Sequence, residues 1–239
     1  MATEETSKEK TGAKKSGTKS ILFELEHIAL DSREVLYEIV KKSLADRDKE
    51  LSIPMFSRFC LDQSADKFVP DLLDAYDIST RSNNKFLKEI EEGMTDFWES
   101  GDIQPRPGFD AFLAKTQKLG FERIALTKLT KKQAGQVLEK LGHSEEGIIV
   151  NSYSAEGKSS AGADIWMSAV VDNDLKLGLA TAVASSSKAC KAALTADLNC
   201  VVVVDRFTAF QDFGGASVVA DGLEELDIEG LTNTFYQET

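Results

Sequence analysis

The feature that most constrains the fold is an alternation of short apolar strands with amphipathic helices in the second half of the chain. The clearest strand is 200–204, five consecutive apolar residues of which four are valine. Helical periodicity predicts helices over 109–119 and 131–141. Gly120 and Gly142 would end them as C-terminal caps. Apolar strands separated by helices form parallel sheets that are covered on both faces, so the pattern predicts an α/β fold with a Rossmann-like parallel sheet core.

An all-helical segment is predicted between the first strand and this alternating region. Apolar residues recur at helical spacing to about Gly101, in a run that Ser32 would cap and that Pro54 and Pro70 would break into shorter helices. An insert at this point would lie over the carboxyl ends of the strands, where open α/β sheets bind ligands. The predicted domains are a disordered Lys-rich tail (1–19), a sheet core (20–32 and 105–239) and an inserted helical cap (33–104). Further strands are predicted at 21–25, 122–126, 148–150, 179–184 and 217–220, and further helices at 163–171 and 188–196.

Charge and cysteine use limit the classes of function. The 239 residues carry a net charge of −12, and so acidic a surface argues against nucleic acid as a partner. No apolar run approaches transmembrane length and no secretory signal opens the chain, so we expect a cytoplasmic protein without a membrane partner. Cys60, Cys190 and Cys200 match no metal-ligand spacing and are predicted to be buried free thiols. His27 and His143 are the only histidines, which excludes a His-rich metal site.

Two carboxylates at the end of the first strand are the leading candidates for chemistry. Glu24 and Glu26 are two residues apart, so on an extended chain they would project to the same side. A carboxylate pair at the carboxyl end of a strand suits acid–base or metal-assisted chemistry. It is also typical of a solvated strand end, and the pair by itself leaves both interpretations open.

The order of these features resembles the haloacid-dehalogenase-like (HAD) hydrolases, in the helical-cap branch that includes phosphoglycolate-phosphatase-like and beta-phosphoglucomutase-like proteins. The segments that carry the resemblance are strand 21–25 with Leu30-Asp31-Ser32 after it, the connector Pro105-Arg106-Pro107-Gly108, Ala125-Leu126-Thr127, the stretch 191–196 and the stretch 221–226. The resemblance implies a phosphate-transfer cleft at the end of the first strand. It also implies Mg²⁺ as the cofactor if the chain is catalytic, and a small phosphorylated metabolite as the substrate or ligand.

The first family motif is altered in this chain. The family has Asp-x-Asp-Gly-Thr, with a nucleophilic first Asp and a general acid/base second Asp, where this chain has Glu24-Leu25-Glu26-His27-Ile28. Each carboxylate is one methylene longer than in the family, and a displacement of roughly 1 Å can cost about a hundredfold in a positioned reaction. The glycine that permits the tight turn is replaced by His27. The resemblance therefore places the site here and makes Glu24 a poor nucleophile.

The other three family motifs map onto a threonine, a lysine and an acidic pair. Thr127 matches the hydroxyl that binds the phosphoryl group. A gap-free alignment puts Ser160 at the position of the family's lysine, and Lys158 fills that role only if the loop carries an insertion. Ala184 and Ser185 stand where the family has the acidic pair that completes the Mg²⁺ shell. Since Mg²⁺ prefers anionic oxygen ligands, no metal ligand is predicted, and Ser185 replaces the expected acidic one.

We therefore expect a HAD-like hydrolase-fold protein that has lost Mg-dependent phosphatase activity and acts by binding a ligand or a protein partner. The alternative is a divergent phosphohydrolase with residual or altered metal dependence. The vestigial catalytic positions are Glu24, Glu26, Thr127 and Lys158, and the predicted ligand-binding residues are Glu24, Glu26, His27, Thr127, Lys128 and Ser185. A salt bridge from Lys128 or Lys158 is predicted to relieve repulsion between the two glutamates, which would otherwise raise each other's pKa. His27 is predicted to be a loop residue partly covered by the cap.

Overall fold

A computed structural model describes residues 17–154 and 162–236, and within them six parallel strands form one sheet. The strands are β1 (Ser20–Glu24), β2 (Glu122–Thr127), β3 (Ile149–Ser152), β4 (Ala180–Ala184), β5 (Asn199–Val203) and β6 (Val218–Ala220). Their order is β3-β2-β1-β4-β5-β6, so β1 lies between β2 and β4. The predicted α/β fold with a parallel sheet is confirmed.

Helices of the second half of the chain cover both faces of this sheet, and the α-helices of the described residues are numbered here in chain order. They are α1 (Ser32–Ala45), α2 (Ile53–Phe59), α3 (Ala65–Ala75), α4 (Asn83–Ser100), α5 (Phe109–Lys118), α6 (Lys131–Lys140), α7 (Ala163–Asp172), α8 (Ser187–Thr195) and α9 (Ile228–Phe235). Side chains of a strand alternate between the faces. Ile21 and Phe23 of β1 pack with residues of α5, α6 and α9 on one face. Leu22 packs with residues of α7 and α8 on the other face.

Helices α1 to α4 fill the interval between β1 and α5 and have a hydrophobic cluster of their own. Tyr37, Phe56, Phe68 and Phe86 are buried in it. Phe207, which follows β5, is buried in the same cluster, with its ring centroid 4.8 Å from that of Phe56. The helical content predicted for this interval is confirmed, whereas the domain boundaries stay a prediction.

Three details of the helical segment differ from the sequence prediction. Pro54 lies in the first turn of α2, where its missing N–H breaks no helical hydrogen bond. Pro70 lies inside α3, which continues to Ala75, so the prediction that this proline breaks a helix is wrong. Ser32 is the first residue of α1, and Asp31 occupies the N-cap position.

The remaining predictions concern the tail, the cysteines and membrane spans. Residues 1–16 of the predicted tail lie outside the described residues, and the backbone carbonyl of Lys19 already accepts a hydrogen bond from the N–H of Glu122. Cys60, Cys190 and Cys200 are buried free thiols, as predicted. Within the described ranges, no helix is both long enough and apolar enough to cross a membrane.

Candidate functional site

The strand order brings the predicted site residues to one edge of the sheet. In the parallel register Glu24 is level with Leu126 of β2, and Phe23 is level with Val183 of β4. The carboxyl ends of these three neighbouring strands therefore meet. We call Glu24, Glu26, Thr127 and Ser185, which gather there, the strand-end site.

The two glutamates of the strand-end site reach in different directions. Glu24 ends β1, and the next five residues, Leu25–Ala29, form a single π-helical turn. The two-residue alternation of a strand does not continue through such a turn. As a result Glu24 bonds to the end of β4 and Glu26 bonds to the end of β2. The prediction that both side chains project to the same side is wrong, because the extended conformation ends at Glu24.

Glu24 is held by both polar groups of Ser185. Its Oε2 atom accepts hydrogen bonds from the backbone N–H of Ser185 at 2.9 Å and from its hydroxyl at 2.6 Å. Burial raises the pKa of Glu24 to about 7, against the opposing effect of the Arg33 guanidinium. The nearby carboxylate of Asp62 raises it further. The main cause is thus loss of water around the carboxylate rather than the repulsion from Glu26 that the sequence suggested.

Glu26 is held by donors at the end of β2. Its Oε1 atom accepts from the Thr127 hydroxyl at 2.8 Å and from the backbone N–H of Lys128 at 2.9 Å. The Thr127 hydroxyl in turn accepts from the N–H of Leu129 at 3.0 Å. Glu26 and Thr127 are both buried. The hydroxyl that the resemblance assigns to a phosphoryl group therefore donates to a carboxylate of this chain.

Arg33, which the sequence analysis missed, supplies the positive charge beside the strand-end site. Its guanidinium donates to Asp205 Oδ2 at 2.8 Å and to Ser185 Oγ at 2.9 Å, and its Nη2 lies 3.8 Å from Asp62 Oδ1. Burial lowers the pKa of Arg33, but the carboxylates of Asp205, Asp62 and Glu24 outweigh burial and raise it. An arginine in the first turn of a helix gives no sequence signal of burial, since most arginines are solvated.

The predicted lysine salt bridge is not found among the residues that the structure describes. Lys128 contacts Glu26 through its backbone N–H rather than through its ammonium group, so the prediction for Lys128 is wrong. Lys158 and Ser160 lie outside the described residues. Each glutamate instead accepts a hydrogen bond from a backbone N–H, Glu24 from Ser185 and Glu26 from Lys128.

His27 lies in the π-helical turn and is partly exposed. Its Nδ1 atom is 3.1 Å from the hydroxyl of Ser32, and its carbonyl accepts from Arg106 at 2.7 Å. Burial lowers the pKa of His27 well below its usual value, and the charges of Arg33, Lys128 and Arg106 lower it further. The imidazole is therefore neutral at physiological pH.

A cavity of about 260 Å³ opens beside His27, between the π-helical turn, α1 and the segment that follows β5. Its polar walls include Asp31, Arg33, Glu34 and Asp205. Arg206 pairs with Glu34 at its rim. Of the residues predicted to bind a ligand, His27 lines this cavity, whereas Glu24, Glu26 and Thr127 do not line it and are buried in their own hydrogen bonds.

The side chains present do not fit the Mg²⁺ ion that the resemblance implies. Ala184 offers no ligand, and the hydroxyl of Ser185 is engaged between Glu24 and Arg33. Among the described residues, no three acidic, histidine or cysteine side chains are placed to hold a metal ion together. Mg²⁺ needs several oxygen ligands in near-octahedral geometry, and this edge of the sheet offers a guanidinium instead.

Comparisons with known proteins identify the fold to which this chain is similar. No protein-family model matches the sequence, and no curated protein is significantly similar to it. The structure has the fold of the HAD-like hydrolases, as the sequence resemblance implies. It is similar to CbbY from Rhodobacter sphaeroides in complex with phosphate, with a TM-score of 0.71 and 19% identity over 90% of this chain and 99% of that chain.

Two further solved structures show the same fold. The beta-phosphoglucomutase from Clostridium difficile has a TM-score of 0.68 and 15% identity over 92% of this chain and 97% of that chain. A HAD family hydrolase from Deinococcus radiodurans, with bound phosphate and sodium, has a TM-score of 0.70 and 16% identity over 90% of this chain and 96% of that chain. Identities this low establish the fold and leave the activity of this chain to its own residues.

Proposed function

We propose that this chain is a HAD-fold protein without Mg-dependent phosphatase activity, which acts by binding a ligand or a protein partner. The observation that carries the proposal is the position of the Glu26 carboxylate. It accepts from the Thr127 hydroxyl and the Lys128 N–H, two donors that a phosphoryl group would otherwise use. A phosphate monoester would have to displace the buried carboxylate of Glu26 from these donors. The negative charges of the phosphate and the carboxylate would also repel each other, and both effects oppose binding.

The state of Glu24 supports the same proposal. In-line attack needs a free carboxylate oxygen aimed at phosphorus. Glu24 Oε2 accepts two hydrogen bonds from Ser185, and the residue is only 6% exposed, which restricts the approach of a phosphate to the carboxylate. Burial raises its pKa to about 7, so a large fraction of it is protonated and non-nucleophilic at neutral pH.

The cavity beside His27 is the best candidate for the ligand-binding position. Its 260 Å³ lies just below the range of about 300–1,000 Å³ that is typical of small-molecule sites. Neutral His27 and the half-exposed Asp31 offer hydrogen-bonding groups to an occupant. The opposite charges of its walls are already paired, Arg33 with Asp205 and Arg206 with Glu34. A small polar molecule suits these walls better than a highly charged one.

The test is a phosphatase assay against an aryl phosphate and a panel of sugar phosphates, with and without Mg²⁺, combined with calorimetric titration of Mg²⁺. Three proteins are compared: the natural chain, Glu24→Ala and Glu139→Ala, which changes an exposed glutamate of α6. We expect no turnover above the Glu24→Ala background and no heat of Mg²⁺ binding. Mg-dependent turnover that Glu24→Ala abolishes and Glu139→Ala retains would overturn the proposal.

The alternative function, a divergent phosphohydrolase, is favoured by one observation. A carboxyl group with a pKa of about 7 is suited to proton transfer at neutral pH. For this alternative, turnover without added metal would change with pH around neutrality, and Glu24→Gln would remove that dependence. Turnover that is flat across this range in both proteins would exclude Glu24 as the acid or base.

A further inference from the structure

Arg33 is the group around which three acidic side chains are arranged, one at the end of β1, one between α2 and α3 and one after β5. It leaves the first turn of α1 and is 5% exposed. Its two terminal nitrogens donate to Asp205 Oδ2, to the hydroxyl of Ser185 and to the carbonyl of Ser185 at 2.8, 2.9 and 3.3 Å. Two distant segments of the chain thus converge on one guanidinium.

The hydroxyl of Ser185 connects this guanidinium to Glu24. The hydroxyl accepts from Arg33 at 2.9 Å and donates to Glu24 Oε2 at 2.6 Å. It therefore forms one chain of hydrogen bonds from the cation to the buried carboxylate. Asp62, from the connection between α2 and α3, has its Oδ1 atom 3.8 Å from the same guanidinium and accepts from the Ser186 hydroxyl at 3.1 Å. Glu24, Asp62 and Asp205 are the acidic groups that surround Arg33.

Buried carboxylates need a compensating positive charge, because neither water nor a distant counter-ion reaches them. A metal ion is one source of that charge, and the side chains here do not fit one. An arginine is the other source, since its guanidinium stays charged and donates in several fixed directions.

We infer that Arg33 is a built-in cation of the strand-end site, where its single charge offsets part of the negative charge of Glu24, Asp62 and Asp205 in place of a metal ion and its side chain joins α1 to β4 and β5. This inference rests on the proposed absence of Mg-dependent chemistry, and it assigns the charge compensation of the site to one residue. The protein then requires no divalent cation for its native structure.

The experiment is chemical rescue of a missing guanidinium, followed by thermal unfolding. Arg33→Ala is compared with the natural chain and with Arg47→Ala, which removes an arginine that pairs with Glu89 away from the site. Each protein is unfolded in about 50 mM guanidinium chloride, in NaCl of equal ionic strength and in about 10 mM MgCl₂, since a bound ion raises the Tm of the state that binds it. We expect guanidinium to raise the Tm of Arg33→Ala and not that of the other two proteins, and Mg²⁺ to raise none.

Two results would overturn the inference. In the first, Mg²⁺ raises the Tm of the natural chain above its Tm in NaCl. In the second, guanidinium raises the Tm of Arg33→Ala no more than that of Arg47→Ala. If Arg33→Ala does not fold in buffer alone, its refolding yield is measured with and without guanidinium in place of the Tm. Equal yields would contradict the inference. Phosphatase activity is measured separately. Mg-dependent turnover by a natural chain whose Tm does not respond to Mg²⁺ would contradict the proposed function and leave Arg33 as the structural cation.

Discussion

The hydroxyl of Thr127 lies 2.8 Å from a carboxylate oxygen of Glu26, a bond that joins the end of β2 to the π-helical turn after β1. The N–H of Lys128 donates to the same oxygen at 2.9 Å. A side-chain hydroxyl and a backbone N–H that converge on one oxygen make a small anion site, and a carboxylate of this chain already occupies it.

Removal of that carboxylate is expected to open the anion site. Glu26→Ala should bind inorganic phosphate or sulfate in the millimolar range, because the two donors of Thr127 and Lys128 would lose their partner. The shift of Tm with added phosphate, against NaCl of equal ionic strength, measures this. The double variant Glu26→Ala/Thr127→Val and the surface variant Glu139→Ala serve as controls. A phosphate response in the natural chain equal to that of Glu26→Ala would contradict the prediction.

The buried carboxyl of Glu24 should make stability depend on pH. Its pKa rises on folding from 4.5 to about 7, so the folded state binds the proton more tightly than the unfolded state. The resulting stabilisation is fully present below about pH 4.5 and is lost as pH rises through 7, by an amount on the order of 3 kcal/mol. Chemical denaturation of the natural chain and of Glu24→Gln between those pH values measures the difference. A free energy of unfolding of the natural chain that rises relative to that of Glu24→Gln as the pH increases would show that the sign is wrong.

Phe207 is expected to fix the segment after β5 to helices α1 and α2. Phe207 is 2% exposed, its ring packs against those of Tyr37 and Phe56, and its carbonyl accepts from the Ser57 hydroxyl at 3.1 Å. Phe207→Ala should lower the free energy of unfolding by about 3–5 kcal/mol, as for other buried phenylalanines. The matched control is Phe210→Ala, three residues further on, where the ring is 65% exposed. Similar losses in the two variants would contradict this packing.

Gly108 permits the connector to pass close to the segment 223–224. Its φ is +82°, and an added Cβ would lie 2.9 Å from the backbone nitrogen of Glu224. Gly120 has a similar φ of +75° with nothing within 4 Å of an added Cβ. Gly120→Ala should therefore cost only the left-handed backbone term of roughly 1–2 kcal/mol, and Gly108→Ala should cost about 1–3 kcal/mol more from overpacking. Denaturant unfolding of both variants measures the difference, and equal losses would contradict it.

Much of the fold could be predicted because it depends on local patterns. Helical periodicity with Gly120 and Gly142 at the ends located α5 and α6 to within a residue or two. The valine run at 200–204 predicted β5, since a strand buried on both faces must be apolar throughout. Leu223–Glu225 and α9 were not predicted, and Pro70 shows that tertiary packing can retain a helix that a local rule would end.

The candidate site likewise has features that the sequence predicted and features that only the tertiary structure decided. The sequence by itself determined that Glu24, Thr127 and Ser185 lie at the ends of strands of one parallel sheet, which is enough to bring them to a common edge. Only the tertiary structure decided their partners, since the π-helical turn directs Glu26 toward Thr127 and leaves Glu24 to Ser185. Arg33 and Asp205 are 172 residues apart, and their 2.8 Å contact depends on how α1 and the end of β5 pack. Hydrogen bonds and ion pairs act over a few ångströms of space rather than along the chain. Residue type and spacing therefore located the charged groups of this site, whereas the packing of distant segments decided how they pair.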